Sequence, residues 1–326
     1  TRLLMGLVAG SNATVTFYGD KSLSSRPMDR IINPLKKMGA TFIFSEEMKL
    51  PITVIGARKK GITMPIIYKS PVASAQIKSA IILAGLTARG ATQIKEPCKS
   101  RNYTEAMLKK CGVNIYSKIS KKHINTVTVK GTSYLKNCNF NIPSDPSSAL
   151  FIVVACLITR GSEVKIKNIL YDTMRLKVFK ILKKMGANIK LQNYKTYKGE
   201  KIADLVVKSK KSLKAINCPQ NLNSAAIDEF LLIFLVAAKA KGVSYFRNLS
   251  ELNQKESPRL FWGAKILTKM GVKNVLKRDS IKIYGNPNLK VNKKIIIEKF
   301  LKDHRVFMSS VVAALTIGGE WKINDK

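Results

Sequence analysis

Six short polar segments hold the residues best suited to chemistry, and each stands just ahead of an apolar or amphipathic stretch. In residues 19–30, Pro27 suits a first helical turn, and Arg26 stands where the positive end of a helix already favours an anion. Ser74-Ala75-Gln76-Ile77-Lys78 brings hydroxyl, amide and ammonium groups to the start of an apolar helix, an arrangement able to receive a phosphate and sugar-like hydroxyls. Residues 100–105 repeat the theme, and Arg101 offers a bidentate phosphate contact. Residues 143–148, Lys255-Glu256-Ser257-Pro258-Arg259 and Asp303-His304-Arg305 complete the set. Each segment alone reads as well as a helix cap or a solvated charge run. Asp228-Glu229 is a different case: the pair is expected inside an apolar helix over 227–240, where carboxylates are costly unless paired or functional. Function is the preferred reading there. His304, between an acid and an arginine, is a better site candidate than His123, which stands among lysines. The chemistry these residues suit is the binding of anions, phosphates above all, beside a carboxylate pair.

The elements that must position them recur. Leu35-Lys36-Lys37-Met38-Gly39-Ala40 returns as Leu108 to Val113, Leu182 to Ala187 and Leu267 to Val272, each time closing an amphipathic stretch with a glycine and leading to a strand-like run. A second phrase, an apolar helix ending in glycine, interleaves with the first and ends at Gly90, Gly161, Gly242 and Gly318, with a partial first copy at Gly10. The unit is roughly 70–85 residues with two helices and several strands. A helix that is apolar all round must lie inside its unit. The expected class is therefore α/β, with helices enclosed by short sheets in two halves. Residues 136–144 are the least helical stretch between them, which places the boundary near Ile142: an N-terminal lobe over 1–142 and a C-terminal lobe over 143–326.

With 326 residues, 45% hydrophobic and 7% aromatic, the chain can bury a sizeable core and is neither disordered nor collagen-like. Its longest apolar runs are about half the length a bilayer requires, and no secretory leader is recognisable. Five cysteines, Cys98, Cys111, Cys138, Cys156 and Cys218, lack metal-ligand spacing, so a reducing, cytoplasmic compartment and no metal site are expected. The net charge of +38 raises the question of nucleic acid. Its source is 46 lysines scattered along the chain against 12 arginines, whereas nucleic-acid readers concentrate arginine beside aromatics. A lysine bias on solvated faces is the simpler explanation. The scarce arginines are then informative, and Arg2, Arg26, Arg30, Arg101, Arg259 and Arg305 all fall in the short motifs.

Taken in order, these motifs resemble the enolpyruvyl transferases, and within them the 5-enolpyruvylshikimate-3-phosphate synthase branch. The resemblance runs through Arg2, Arg26-Pro27-Met28 with Arg30, Ser74-Ala75-Gln76 with Lys78, Arg101 with Thr104-Glu105, Asp145-Pro146-Ser147-Ser148, Asp228-Glu229, Lys255-Glu256-Ser257 with Arg259, and Asp303-His304-Arg305. The Ser-Ala-Gln and Arg-Pro-Met forms are similar to the bacterial class II subgroup. His304 separates the chain from the UDP-N-acetylglucosamine enolpyruvyl transferases, which usually carry leucine there.

The resemblance implies a two-domain fold of βαβαββ units, incomplete here at both termini and expected to be inactive alone. It implies transfer of the enolpyruvyl group of phosphoenolpyruvate to the 5-hydroxyl of shikimate 3-phosphate, with release of phosphate and no cofactor. Asp228 would accept the hydroxyl proton and Glu256 would protonate the methylene carbon. Ser74, Ala75, Gln76, Arg101, Asp228 and Lys255 would hold shikimate 3-phosphate. Arg26, Gln76, Arg259 and Arg305 would hold phosphoenolpyruvate, supported by Arg2, Asp303 and His304. A cytoplasmic monomer without membrane or specific nucleic-acid partners is expected. Asn253-Gln254, Pro258 and Leu231 depart from the family's usual arginine–valine, aspartate and proline, which bears on how Lys255 and Glu256 are oriented. A nucleotide-sugar acceptor and a non-enzymatic polyanion-binding role are the alternatives.

Overall fold

The computed structural model describes residues 1–325 apart from 46, 47, 133, 198, 199, 211 and 224. The chain divides into two compact units, Thr1–Asn139 and Phe140–Lys326. The first opens with α1 (Arg2–Ala9), β1 (Thr14–Phe17), the short α2 (Lys21–Ser24), α3 (Asp29–Lys37), β2 (Thr41–Phe44) and β3 (Ile52–Ile55), whose strands pair antiparallel in the order β1-β3-β2. The next repeat is complete: β4 (Ile67–Lys69), α4 (Ala75–Gly85), β5 (Ala91–Glu96), α5 (Tyr103–Lys110), β6 (Ile115–Ile119) and β7 (Asn125–Lys130). Strand β4 lies parallel to β5, and the β6/β7 hairpin closes antiparallel on β5. A parallel pair needs a crossover, and α4 supplies it.

The second unit follows the same plan. Ser144 makes a single parallel bridge to Ile169, followed by α6 (Pro146–Ile158), β8 (Glu163–Leu170), α7 (Lys177–Lys184), β9 (Asn188–Tyr197) and β10 (Glu200–Lys208). Then come β11 (Leu213–Lys214), α8 (Phe230–Ala238), β12 (Ala240–Phe246), α9 (Arg259–Lys269), β13 (Asn274–Leu276) and β14 (Ile281–Gly285). Their sheet order, β11-β12-β14-β13, reproduces β4-β5-β7-β6. Strand β15 (Lys294–Ile297), α10 (His304–Ile317) and β16 (Glu320–Ile323) form one more parallel crossover. This is the α/β repeat architecture read from the sequence. Among the described residues, no helix is long and apolar enough to cross a membrane.

Composition decides which helix goes inside. All nine residues of α8 are buried, and its Phe230 and Phe234 meet Phe246 of β12 at ring-centroid distances of 5.9 and 5.2 Å. The amphipathic α3 and α7 bury only one stripe each, Ile31, Ile32, Pro34 and Leu35 in one and Val178, Phe179, Ile181 and Leu182 in the other. Their lysines face solvent.

Two expectations need correction. The helix expected over 227–240 spans only Phe230–Ala238, because Ala240 already belongs to β12. Asp228 and Glu229 are therefore not inside it: Glu229 is the N-cap and Asp228 lies in the preceding turn. Carboxylates there meet the positive end of the helix, which offsets part of the cost argued for an apolar interior, although Glu229 itself remains buried. Finally, Lys78 is neither a solvated lysine nor a free ammonium, being 1% exposed between two glutamates.

Candidate functional site

In the second unit, the starts of α8, α9 and α10 bring most of the C-terminal candidates together. The backbone N–H groups at such starts carry partial positive charge, so carboxylates gather there. Asp303 caps α10, accepting from the backbone N–H of Arg305 at 2.9 Å and of Val306 at 3.4 Å. It is fully buried and also accepts from Ser257 Oγ at 2.9 Å and Arg259 Nε at 2.9 Å. Arg259, the first residue of α9, fans out from there. Its Nη1 lies 3.1 Å from Asp228 Oδ1 and its Nη2 lies 2.8 Å from Glu256 Oε2. One buried guanidinium thus holds three carboxylates.

The remaining groups stand around this fork. Lys255 Nζ lies 3.5 Å from Asp228 Oδ1 and 3.1 Å from Glu251 Oε1. His304, exposed, approaches Glu256 Oε2 with Nδ1 at 3.2 Å. Arg305 donates from Nη1 to the carbonyl of Asp228 at 2.8 Å. Burial alone would push the Asp228 carboxyl up, but the charges of Lys255, Arg305 and Arg259 outweigh it and hold the group below its ordinary value. Asp303 behaves in the same way, burial being overcome by the hydrogen bond and charge of Arg259. In Glu229 burial wins and raises the carboxyl despite its contacts with Ser147 and Arg305.

Glu256, Asp303 and His304 place one potential ligand atom each within 4.8 Å of one another. A divalent cation there would sit against Arg259, which already hydrogen-bonds both carboxylates. The set is an ion cluster organised by an arginine, with the oxygens a metal would need already engaged.

In the first unit the candidates gather at the start of α4. Ser74 caps that helix, its Oγ accepting from the N–H of Ile77 at 3.5 Å, and Ala75 begins it. Arg2 donates to Gln76 Oε1 at 2.7 Å and to the carbonyl of Pro27 at 3.1 Å. An arginine can only donate, so this contact fixes the amide oxygen of Gln76 toward Arg2 and leaves its NH2 for another acceptor. Burial lowers the pKa of Arg2, and the neighbouring Arg26 and Arg30 lower it further. The charge of Asp29 opposes these effects in part. Arg101 is exposed in the coil before α5.

The rest of the first-unit motif braces these groups. Lys78 Nζ pairs with Glu105 at 2.7 Å and Glu96 at 3.2 Å, and Ser79 and Thr104 share a hydrogen bond of 2.7 Å. Glu96 also accepts from Ser100 at 2.6 Å and Asn125 at 3.0 Å. These contacts hold the segment bearing Arg101 beside the start of α4.

Sequence reasoning missed Arg175, which pairs with Asp145 and donates to Ser147 Oγ at 3.2 Å. The signal was present: it is one of only 12 arginines in a lysine-rich chain.

Comparison with known proteins follows the same lines. The profile of the family EPSP synthase (3-phosphoshikimate 1-carboxyvinyltransferase) matches residues 1–326. The chain is 42% identical over 329 residues to the 3-phosphoshikimate 1-carboxyvinyltransferase of Zymomonas mobilis, covering 100% of this chain and 71% of that protein. It is 40% identical to the corresponding protein of Petrotoga mobilis, covering 96% of this chain and 70% of the relative. A solved EPSP synthase from Acinetobacter baumannii superposes with a TM-score of 0.82 at 36% identity, over 97% of this chain and 70% of that one. The enolpyruvyl transferase NikO from Streptomyces tendae shares the fold, with a TM-score of 0.72 at 14% identity, over 98% of this chain and 70% of that one. By sequence along its whole length and by fold, the chain belongs to the EPSP synthase (3-phosphoshikimate 1-carboxyvinyltransferase) family.

Proposed function

We propose that the two clusters serve one transfer, of the enolpyruvyl group of phosphoenolpyruvate to the 5-hydroxyl of shikimate 3-phosphate. Residues 1–142 and 143–326 would act as the two lobes that carry them, in a cytoplasmic, monomeric enzyme. Ser74, Ala75, Gln76, Arg101 and Lys255 hold shikimate 3-phosphate, whose phosphate suits a guanidinium fork beside a helix start. Arg26, Gln76, Arg259 and Arg305 hold the carboxylate and phosphate of phosphoenolpyruvate. For Arg259 this means sharing the anion with carboxylates it already binds, so its first contribution is to set Asp228 and Glu256 in place. Arg2 orients Gln76, Asp303 orients Arg259, and His304 stands beside Glu256.

Asp228 takes the proton of the 5-hydroxyl as its oxygen bonds to C2 of phosphoenolpyruvate, and Glu256 gives a proton to C3. The tetrahedral adduct then returns a methyl proton to Glu256, restoring the methylene, and breaks the C2–O bond to the phosphate, which leaves with the proton held by Asp228. Holding two polyanions in line supplies much of the rate through orientation.

The carrying observation is Asp228 itself, a carboxylate held ionised by three cations yet still half-exposed at the start of α8. In the protein that carries this chain, phosphate release should require both substrates. Asp228→Asn should lower turnover about 10²–10⁴-fold without changing the circular dichroism spectrum. Near-normal turnover in that folded variant would remove Asp228 from the mechanism.

A further inference from the structure

Arg175, Ser147 and Glu229 lie one behind another in a row that ends at Arg305. Because an arginine only donates, the 3.2 Å contact from Arg175 Nη2 occupies a lone pair of Ser147 Oγ. The serine proton is then directed to Glu229 Oε1, 2.7 Å away. Glu229, 6% exposed, reaches Arg305 Nη1 at 3.7 Å, the same nitrogen that donates to the Asp228 carbonyl. At the far end Asp145, the N-cap of α6, holds Arg175. The hydrogen bonds from Arg175 to Ser147 and from Ser147 to Glu229 each have one possible direction, and the last contact, from Glu229 to Arg305, is an ion pair.

We propose that Arg175, Ser147 and Glu229 are positioning residues, a relay of one-way hydrogen bonds that ends in the Glu229–Arg305 ion pair and fixes the Arg305 guanidinium against the Asp228 turn. This rests on the reading of Arg305 as a phosphoenolpyruvate ligand and Asp228 as the base. A buried carboxylate is costly unless its partners compensate for lost water, so Glu229 keeps its charge only while its neighbours stay in place. The groups facing it are Ser147, Arg305, Asp228 and Arg175, and burial raises its carboxyl against the help of Ser147, Arg305 and Arg175. Its ionisation therefore reports the geometry of the site.

In the protein that carries this chain, Ser147→Ala should lower kcat/KM for phosphoenolpyruvate about tenfold, and that for shikimate 3-phosphate no more than about threefold. Arg175→Met should act likewise, and Arg175→Lys should recover part of the loss. The double variant Ser147→Ala/Arg175→Met should resemble either single one, because both interrupt the same row. Equal losses for the two substrates, or losses that simply add, would overturn the relay. Carbon-13 NMR titration of Glu229 gives a test that needs no turnover. Its carboxyl should titrate above the ordinary glutamate value, and higher still in Arg305→Met. A titration that ignores Arg305→Met sinks the relay. The expected titration in a protein that does not turn over would count against the functional reading alone.

Discussion

Asp303 shows how much one side chain can organise. It closes the start of α10, receives Ser257 and binds Arg259, and through Arg259 it sets Asp228 and Glu256. Removing one member of a buried pair leaves the other charge uncompensated, so Asp303→Asn should cost about 3–5 kcal/mol in urea denaturation at pH 7. The pH dependence has a definite sign. The folded carboxyl is held below its ordinary value, so its contribution is present above about pH 4, the unfolded aspartate value. It is lost as pH falls through the lower folded value. The stability gap between the natural chain and Asp303→Asn should therefore narrow below about pH 4. A gap that stays constant down to pH 3 would show that the aspartate acts by shape rather than charge. The importance of Asp303 was legible as a motif, but its part in the network was not. The three segments meeting at Arg259 are separated along the chain, and nothing in their local pattern says that one guanidinium binds three acids.

At the scale of elements, the sequence was more informative about the repeats than about helix ends. The recurring phrases, Leu-Lys-Lys in α3, α5 and α7 and Leu-Thr-Lys in α9, mark those helices, and the apolar runs mark α6 and α8. The start of α8 was misread because Ile227 continues its apolar pattern, while the turn that precedes Phe230 depends on tertiary partners. Two glycines separate the physical reasons for which that residue is used. At Gly186, φ is +86° and an added Cβ would meet nothing within 4 Å, so the requirement is conformational. At Gly6, an added Cβ would stand 2.3 Å from the carbonyl oxygen of Ala80, so α1 could not lie as close to α4. Gly186→Ala should cost about 1–2 kcal/mol from backbone strain. Gly6→Ala should cost more, because one helix must move off the other. Thermal melts of the two variants decide the order, and the reverse ranking would contradict the close packing of α1 on α4.

Over the whole molecule, net charge and reactivity follow burial rather than composition. The excess of lysine lies largely on solvated faces, as the exposed sides of α3 and α7 illustrate, and so it says little about partners. The cysteines give a cleaner measure. Cys98 is exposed, Cys111 and Cys138 are half-buried, and Cys156 and Cys218 are buried. Burial pushes the Cys218 thiol up to about 11. Since only the thiolate reacts, a disulfide reagent at pH 8 should modify Cys98 first and leave Cys218 untouched until urea unfolds the second unit. Prompt labelling of Cys218 in the folded chain, read by peptide mass spectrometry, would mean that its surroundings open without unfolding.

Lys78, closed between Glu96 and Glu105, has a practical consequence. Reductive methylation consumes accessible amines, and in a chain with 46 lysines almost every such reaction occurs on the surface. The amine of Lys78 becomes available only when α4 separates from β5 and α5, so its labelling rate should follow the opening of the first unit. A residue indistinguishable by composition from its 45 counterparts is thereby an internal clock for that opening, readable without a mutation or an attached probe. Denaturant should accelerate methylation at Lys78 steeply while leaving the rate at exposed Lys122 nearly constant.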